Sequence, residues 1–113
     1  MSWMSSSADE AARGEHGSGP LPRQATLIDV RSVSEYLSGH LPGAMSLPLP
    51  SIEQEIVHKL PLRATPLILY CASGARSEQA LGLLQQLGYT EVHNGGGAVH
   101  LAAQLGVQLL AGL

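Results

Sequence analysis

The chain has 113 residues, enough for one domain built on one core, and its 44% hydrophobic content excludes a chain disordered throughout. A formal net charge of −3, with no basic run, argues against nucleic acid or an acidic membrane surface as the main partner. The single cysteine excludes an internal disulfide, and a thiol kept unpaired fits a reducing compartment, so a cytoplasmic location is expected.

Residues 1–24 read as a flexible lead-in. Ser5-Ser6-Ser7, Gly14, Gly17-Ser18-Gly19-Pro20 and Pro22 leave no apolar period. The segment also lacks the basic region followed by an apolar core that marks a secretory signal. The folded unit is expected over residues 25–113. Ala25-Thr26-Leu27-Ile28-Asp29-Val30 is a short β-type run. Ser32-Val33-Ser34-Glu35 has the form of a capping box opening a short helix that stops at Gly39. Ala44-Met45-Ser46-Leu47 is a second strand candidate. Ser51-Ile52-Glu53-Gln54 repeats the capping-box pattern, with Ile56 and Leu60 on one face and Pro61 as the stop. Pro66-Leu67-Ile68-Leu69-Tyr70 is apolar on both faces, as expected of a central strand covered by helices on each side. Behind it, Ser77 is expected to cap a helix whose Ala80, Leu83, Leu84 and Leu87 follow the i, i+3, i+4, i+7 template until Gly88 closes it. Thr90-Glu91-Val92-His93 is the last strand candidate, and a final helix is expected over residues 99–105. The apolar tail, residues 107–113, falls far short of the ~20 residues needed to cross a bilayer and reads as helix-packing or dimer surface.

Strands alternating with helices at these lengths imply an α/β three-layer sandwich, a mostly parallel central sheet with helices on both faces. Ligands of such sheets collect at the carboxyl ends of the strands. Cys71 lies at that edge, in Tyr70-Cys71-Ala72-Ser73-Gly74-Ala75-Arg76-Ser77, between the end of a strand and the start of a helix. The free N–H groups and the positive dipole end found there favour an anion. Arg76 adds a fixed cation with a forked set of donors. An ordinary thiol, with a pKa near 8.5, is only a few per cent ionised at pH 7. A helix N-terminus contributing up to ~2 kcal/mol, together with a nearby guanidinium, moves the balance toward the thiolate.

A lone cysteine is more often a small buried hydrophobe. Its place between strand and helix, with Gly74 and Arg76 beside it, favours the nucleophile. Asp29 and Arg31 share one strand face at spacing two and are expected to support the site structurally through ion pairing, with Glu35 as the partner of Arg31. His40 reads as a turn residue bonding backbone. His16, His58, His93 and His100 show no metal-ligand spacing, so no metal is expected. Gly95-Gly96-Gly97 lacks the phosphate-loop pattern and reads as a backbone turn packed near the Cys71 loop.

Taken in chain order, these motifs resemble a single-domain rhodanese, the sulfurtransferase homology domain. Leu27-Ile28-Asp29-Val30-Arg31 is similar to the family's first strand motif. Glu35-Tyr36 followed by Gly39-His40-Leu41-Pro42-Gly43-Ala44 is similar to its E-[YF]-x-x-G-H-[IL]-P-G-A signature. Residues 70–77 resemble its active-site loop, and Gly88-Tyr89 with Asn94-Gly95-Gly96-Gly97 resembles its closing segment. One departure lies after the glycine run, where many relatives carry Trp and this chain reads Ala98-Val99-His100-Leu101.

The resemblance implies that Cys71 accepts a sulfane sulfur from thiosulfate or a related donor and carries it as a persulfide. It then passes the sulfur to cyanide or a thiol acceptor, with no cofactor beyond that covalent intermediate. The amides of Ala72, Ser73, Gly74, Ala75, Arg76 and Ser77 would cradle the anionic outer sulfur, and the Arg76 guanidinium would hold an anionic donor. The alternatives are a sulfur-relay or partner-binding module, served by a protein donor or acceptor, and a cysteine phosphatase of related fold. Phosphatase loops of that type read C-x5-R, whereas Cys71 and Arg76 bracket only four residues. That makes a ring suited to one sulfur atom.

Overall fold

The strand Leu67–Cys71 (β3) is buried along its whole length. Its pleat sends Leu67, Leu69 and Cys71 to one side of the sheet and Ile68 and Tyr70 to the other, and these two sets sit in separate core layers. The computed structural model describes residues 21–112 apart from residue 23, so the expected lead-in, residues 1–24, lies mostly outside the described residues. Leu21, which is described, packs against the layer containing Ile68 and Tyr70.

Strand β1 (Thr26–Asp29) pairs with one edge of β3 and β4 (Val92–Gly97) with the other, while β2 (Met45–Ser46) lies outside β1. Every pairing is parallel, in the order β2-β1-β3-β4. Parallel neighbours need crossovers. These are α1 (Val33–Ser38), then a 3-10 turn (Leu49–Ser51) running into α2 (Ile52–Lys59), and α3 (Ala75–Gln86). A last helix, α4 (Ala98–Leu105), follows β4 directly. Ile52 and Ile56 of α2 and Ala80 and Leu84 of α3 cover the Leu69 face. Ala98, Leu101 and Ala102 of α4, with Leu41 and Tyr36, cover the Tyr70 face. The expected α/β sandwich with helices on both faces is the observed one.

Local start and stop signals fared unevenly. The Ser32 capping box forms: Glu35 N–H donates to Ser32 Oγ at 3.2 Å and Ser32 N–H donates to Glu35 Oε1 at 3.0 Å. The Ser51 box does not. The 3-10 turn leads straight into α2, so Ile52 N–H already bonds Leu49 O, and Ser51 Oγ turns back to donate to Pro48 O. Nor does Ser77 cap α3. Gly74 takes that position at φ 101°, left-handed backbone that glycine adopts without strain, and Ser77 is buried one turn inside.

The glycine run is strand, not turn. Residues 95–97 complete β4, and the register against β3 shifts between Leu69 and Cys71. A side chain at Gly97 would place its Cβ 2.4 Å from Ala72 O, so only glycine lets β4 pass the Cys71 loop. The tail packs back on the fold: His40 and Leu110 exchange backbone bonds of 2.9 and 2.8 Å, and Leu109 joins the Tyr70 layer.

At the end of β1, Arg31 pairs with Asp29, not with Glu35. Asp29 is fully buried; its carboxylate accepts Arg31 N–H at 2.9 Å and the guanidinium at 2.7 to 3.2 Å. Spacing two on a strand puts both side chains on one face, close enough to satisfy each other. Arg31 Nη2 also donates to Gly39 O at 2.6 Å, fastening the end of α1 to β1. Truncating one member of a buried pair strands the other charge, which typically costs about 3–5 kcal/mol. Asp29→Ala is therefore expected to lower unfolding free energy by about that amount in urea titration with an unchanged m-value.

Candidate active site

Cys71 is the last residue of β3, and the chain turns at once into α3. Its Sγ is buried and accepts the Gly74 N–H at 2.9 Å and the Ser77 N–H at 3.4 Å, with Ser77 Oγ at 3.5 Å. Ala72, Ser73 and Ala75 form the exposed rim of the same loop. Burial pushes the thiol up, but the Ser77 hydroxyl and the Ser77, Ser73 and Gly74 amides outweigh it, leaving Cys71 below its ordinary value. The loop thus favours a sulfur anion, and it does so mainly with neutral hydrogen-bond donors.

Two further interactions hold that loop. Asn94, buried in β4, donates through Nδ2 to Gly74 O (3.1 Å) and Glu78 Oε1 (2.9 Å). Its Oδ1 accepts Ser77 Oγ at 2.7 Å and Gly96 N–H at 2.9 Å. One side chain therefore joins the turn residue, the helix residue beneath Sγ and the bulged strand. On the outer side, Arg76 makes a bidentate pair with Glu35 of α1, at 2.7 and 3.0 Å. The Arg76 hydrogen bonds, followed by the Ser32 N–H, hold Glu35 down to about 2.

Asp29 and Arg31 meet each other at the neighbouring strand end. His40 is a backbone-bonding residue as expected: its Nδ1–H donates to Tyr36 O at 2.9 Å and its ring stacks on Tyr36 at 3.8 Å. Among the described residues no group of three or more His, Cys, Asp or Glu side chains is arranged to hold a metal ion.

A model of the rhodanese-like domain matches residues 7–101. The chain belongs to the rhodanese family. It is 36% identical over 75 residues to thiosulfate sulfurtransferase PspE of Escherichia coli, covering 66% of this chain and 72% of that protein. It is 33% identical over 87 residues to the human thiosulfate:glutathione sulfurtransferase, covering 66% and 76%. Among solved structures, a rhodanese with anions from E. coli superposes with a TM-score of 0.72 at 31% identity, over 79% of this chain and all of that one. This rhodanese is a sulfurtransferase by these relationships. Among its described residues no helix is long and apolar enough to cross a membrane.

Sequence reasoning missed two parts of the rhodanese site. Asn94 stands in the sequence only as part of the closing motif, although a polar residue at the carboxyl end of a strand beside β3 sits at the edge where ligands collect. Glu35 pairs with Arg76 and not, as the sequence suggests, with Arg31. Its seat in the first turn of α1 was legible, but nothing local shows that α3 brings Arg76 to it from 41 residues away.

Two outcomes test this geometry. Replacing Asn94 with Ala removes the partner of the buried Gly96 N–H, at about 1–3 kcal/mol for an orphaned group, and leaves the Ser77 hydroxyl to Gly74 O. The variant is expected to slow Cys71 alkylation at neutral pH, by stopped-flow, beyond the change in global stability. Glu35, depressed from 4.5 to about 2 in the folded protein, contributes stability that is present above its unfolded pKa and lost as pH falls toward 2. Carboxyl-detected NMR titration should find it near 2 in the parent, and Arg76→Ala should move it back toward 4.5.

Proposed function

We propose that this rhodanese moves a sulfane sulfur by a two-step exchange through a persulfide on Cys71. The observation that carries the reading is Sγ at the end of β3 receiving the Gly74 and Ser77 amides, with the thiol held below its ordinary value. In the first step the Cys71 thiolate attacks the outer sulfur of thiosulfate or a related donor. The donor's S–S bond breaks and sulfite leaves with the electron pair, so the charge passes to the new outer sulfur. In the second step cyanide or a thiolate attacks that sulfur, and Cys71 leaves as thiolate. Splitting the transfer in two is what a nucleophile held as an anion permits.

The cradle would act on both anions. The Ser73, Gly74 and Ser77 amides act on Sγ itself, and those of Ala72, Ala75 and Arg76 would serve a sulfur one bond further out. No metal or organic cofactor takes part in this scheme. The partners are a small anionic donor or a protein persulfide on one side and cyanide or a thiol on the other. An unpaired reactive thiol suits a reducing, cytoplasmic setting.

Cys71→Ser keeps the side chain's shape but cannot form a persulfide. It is expected to abolish thiosulfate:cyanide transfer while circular dichroism and urea midpoint stay close to the parent, and appreciable residual turnover would mean another nucleophile. Loop length separates this chemistry from phosphate hydrolysis. An extra glycine between Gly74 and Ala75 adds ~3.8 Å of chain and pulls Ser77 away from Sγ and Asn94. Sulfur transfer should fall steeply in that variant, and the unmodified protein should neither hydrolyse an aryl phosphate nor be inhibited competitively by vanadate.

A further inference from the structure

Both guanidinium groups at the active edge already face carboxylates. Arg31 is held by buried Asp29 and Arg76 by Glu35, each through more than one hydrogen bond. Glu78, in the first turn of α3, adds a third carboxylate tied by Asn94 to the same loop. Three acidic groups thus answer two basic ones before the thiolate is counted. The cradle that lowers the thiol is made of amides and a hydroxyl, which bind a sulfur anion but offer little long-range pull on a dianion. The side chains of Glu35 and Arg76 are each more than a third exposed, and Arg76 lies near enough to Cys71 for the thiolate to favour its charged form, so a ligand reaching the Cys71 loop from solvent can meet their pair.

We propose that Glu35 sets donor selectivity: by occupying Arg76 it withholds the cation that a small dianion such as thiosulfate would use, and so directs Cys71 toward sulfane sulfur carried on a thiol. The proposal rests on the sulfur-transfer reading above and names the donor class that this site favours. With a thiol-borne donor, Cys71 thiolate attacks the outer sulfur of R–S–SH. The S–S bond breaks, the proton passes to the leaving R–S⁻, and R–SH and the Cys71 persulfide anion result. Such a donor carries at most the single charge of its persulfide group when R is neutral, against two charges on thiosulfate. Glu35 acts through Arg76 and is a positioning residue. Its effect must therefore scale with donor charge, which a loss of structure would not do.

The test compares kcat/KM for thiosulfate with that for 2-hydroxyethyl persulfide, using cyanide as acceptor in both cases. In a two-step exchange each kcat/KM reports only the loading of Cys71. Glu35→Gln keeps an oxygen to accept the Ser32 N–H and so preserves the cap of α1. It is expected to raise kcat/KM about tenfold for thiosulfate and about threefold for the persulfide, mostly through KM, with gains that shrink as salt is added. Ser38→Ala, which removes a hydroxyl bonded to the Glu35 carbonyl of α1 and leaves the Glu35 carboxylate untouched, should leave the ratio of the two donors where it is. Equal changes for both donors in Glu35→Gln, a fall in both, or a matching change in Ser38→Ala would overturn the assignment of Glu35 while leaving sulfur transfer standing. Failure of both donors to load the parent protein would overturn the sulfur-transfer reading, and this proposal with it.

Discussion

The Gly74 N–H pointing at Cys71 Sγ, 2.9 Å away, is the contact on which the site depends. It exists because a strand ends and a helix begins within four residues, and because Gly74 takes a left-handed conformation in that turn. The same turn places the Ser77 N–H and hydroxyl beneath the sulfur. A buried thiol would ordinarily resist ionisation. Here the surrounding donors are fixed before any charge appears, so ionisation requires little rearrangement.

The fixity comes from further away. Asn94 reaches from β4 to the carbonyl of the turn and to Ser77, and it can do so because the bulge and Gly96, at φ 85°, re-aim that strand. Gly97 lets the strand run against the loop backbone, where any side chain would collide with Ala72 O. On the other flank, charges alternate from Asp29 to Arg31, on to Glu35 and Arg76, and finally to the thiolate, which also favours the charged form of Arg76. Direct contacts join Asp29 to Arg31 and Glu35 to Arg76, and longer-range attraction links those pairs. Burial separates the two: the enclosed Asp29–Arg31 pair fastens β1 to the end of α1, while the Glu35–Arg76 pair stays half-exposed to solvent.

Much of this was legible in the sequence, for identifiable reasons. The order of elements followed from hydrophobic period, and Leu67 to Tyr70 announced a central strand because no polar residue interrupts them. Cys71 stood out because topology puts strand ends where ligands bind. Hidden were the features set by tertiary pairing. The Ser51 pattern matched a capping box, yet a preceding 3-10 turn had already satisfied the amide a cap would serve. Ser77 matched a cap as well, but the sulfur and Asn94 claim its hydroxyl. Three glycines suggest a turn locally, whereas close passage of β4 by the Cys71 loop makes them strand. The choice of Glu35 between Arg31 and Arg76 depends on where α3 starts relative to α1, which no local pattern encodes.

The central claim is that Cys71, and no other group, carries the transferred sulfur. Intact-mass spectrometry of the protein after brief incubation with thiosulfate and removal of excess donor tests it directly. The account predicts a gain of one sulfur atom per chain, located at Cys71 by peptide mapping, lost on addition of cyanide or a thiol reductant, and absent from Cys71→Ser. A parent protein that gains no sulfur, or a Cys71→Ser variant that gains the same mass, would contradict it.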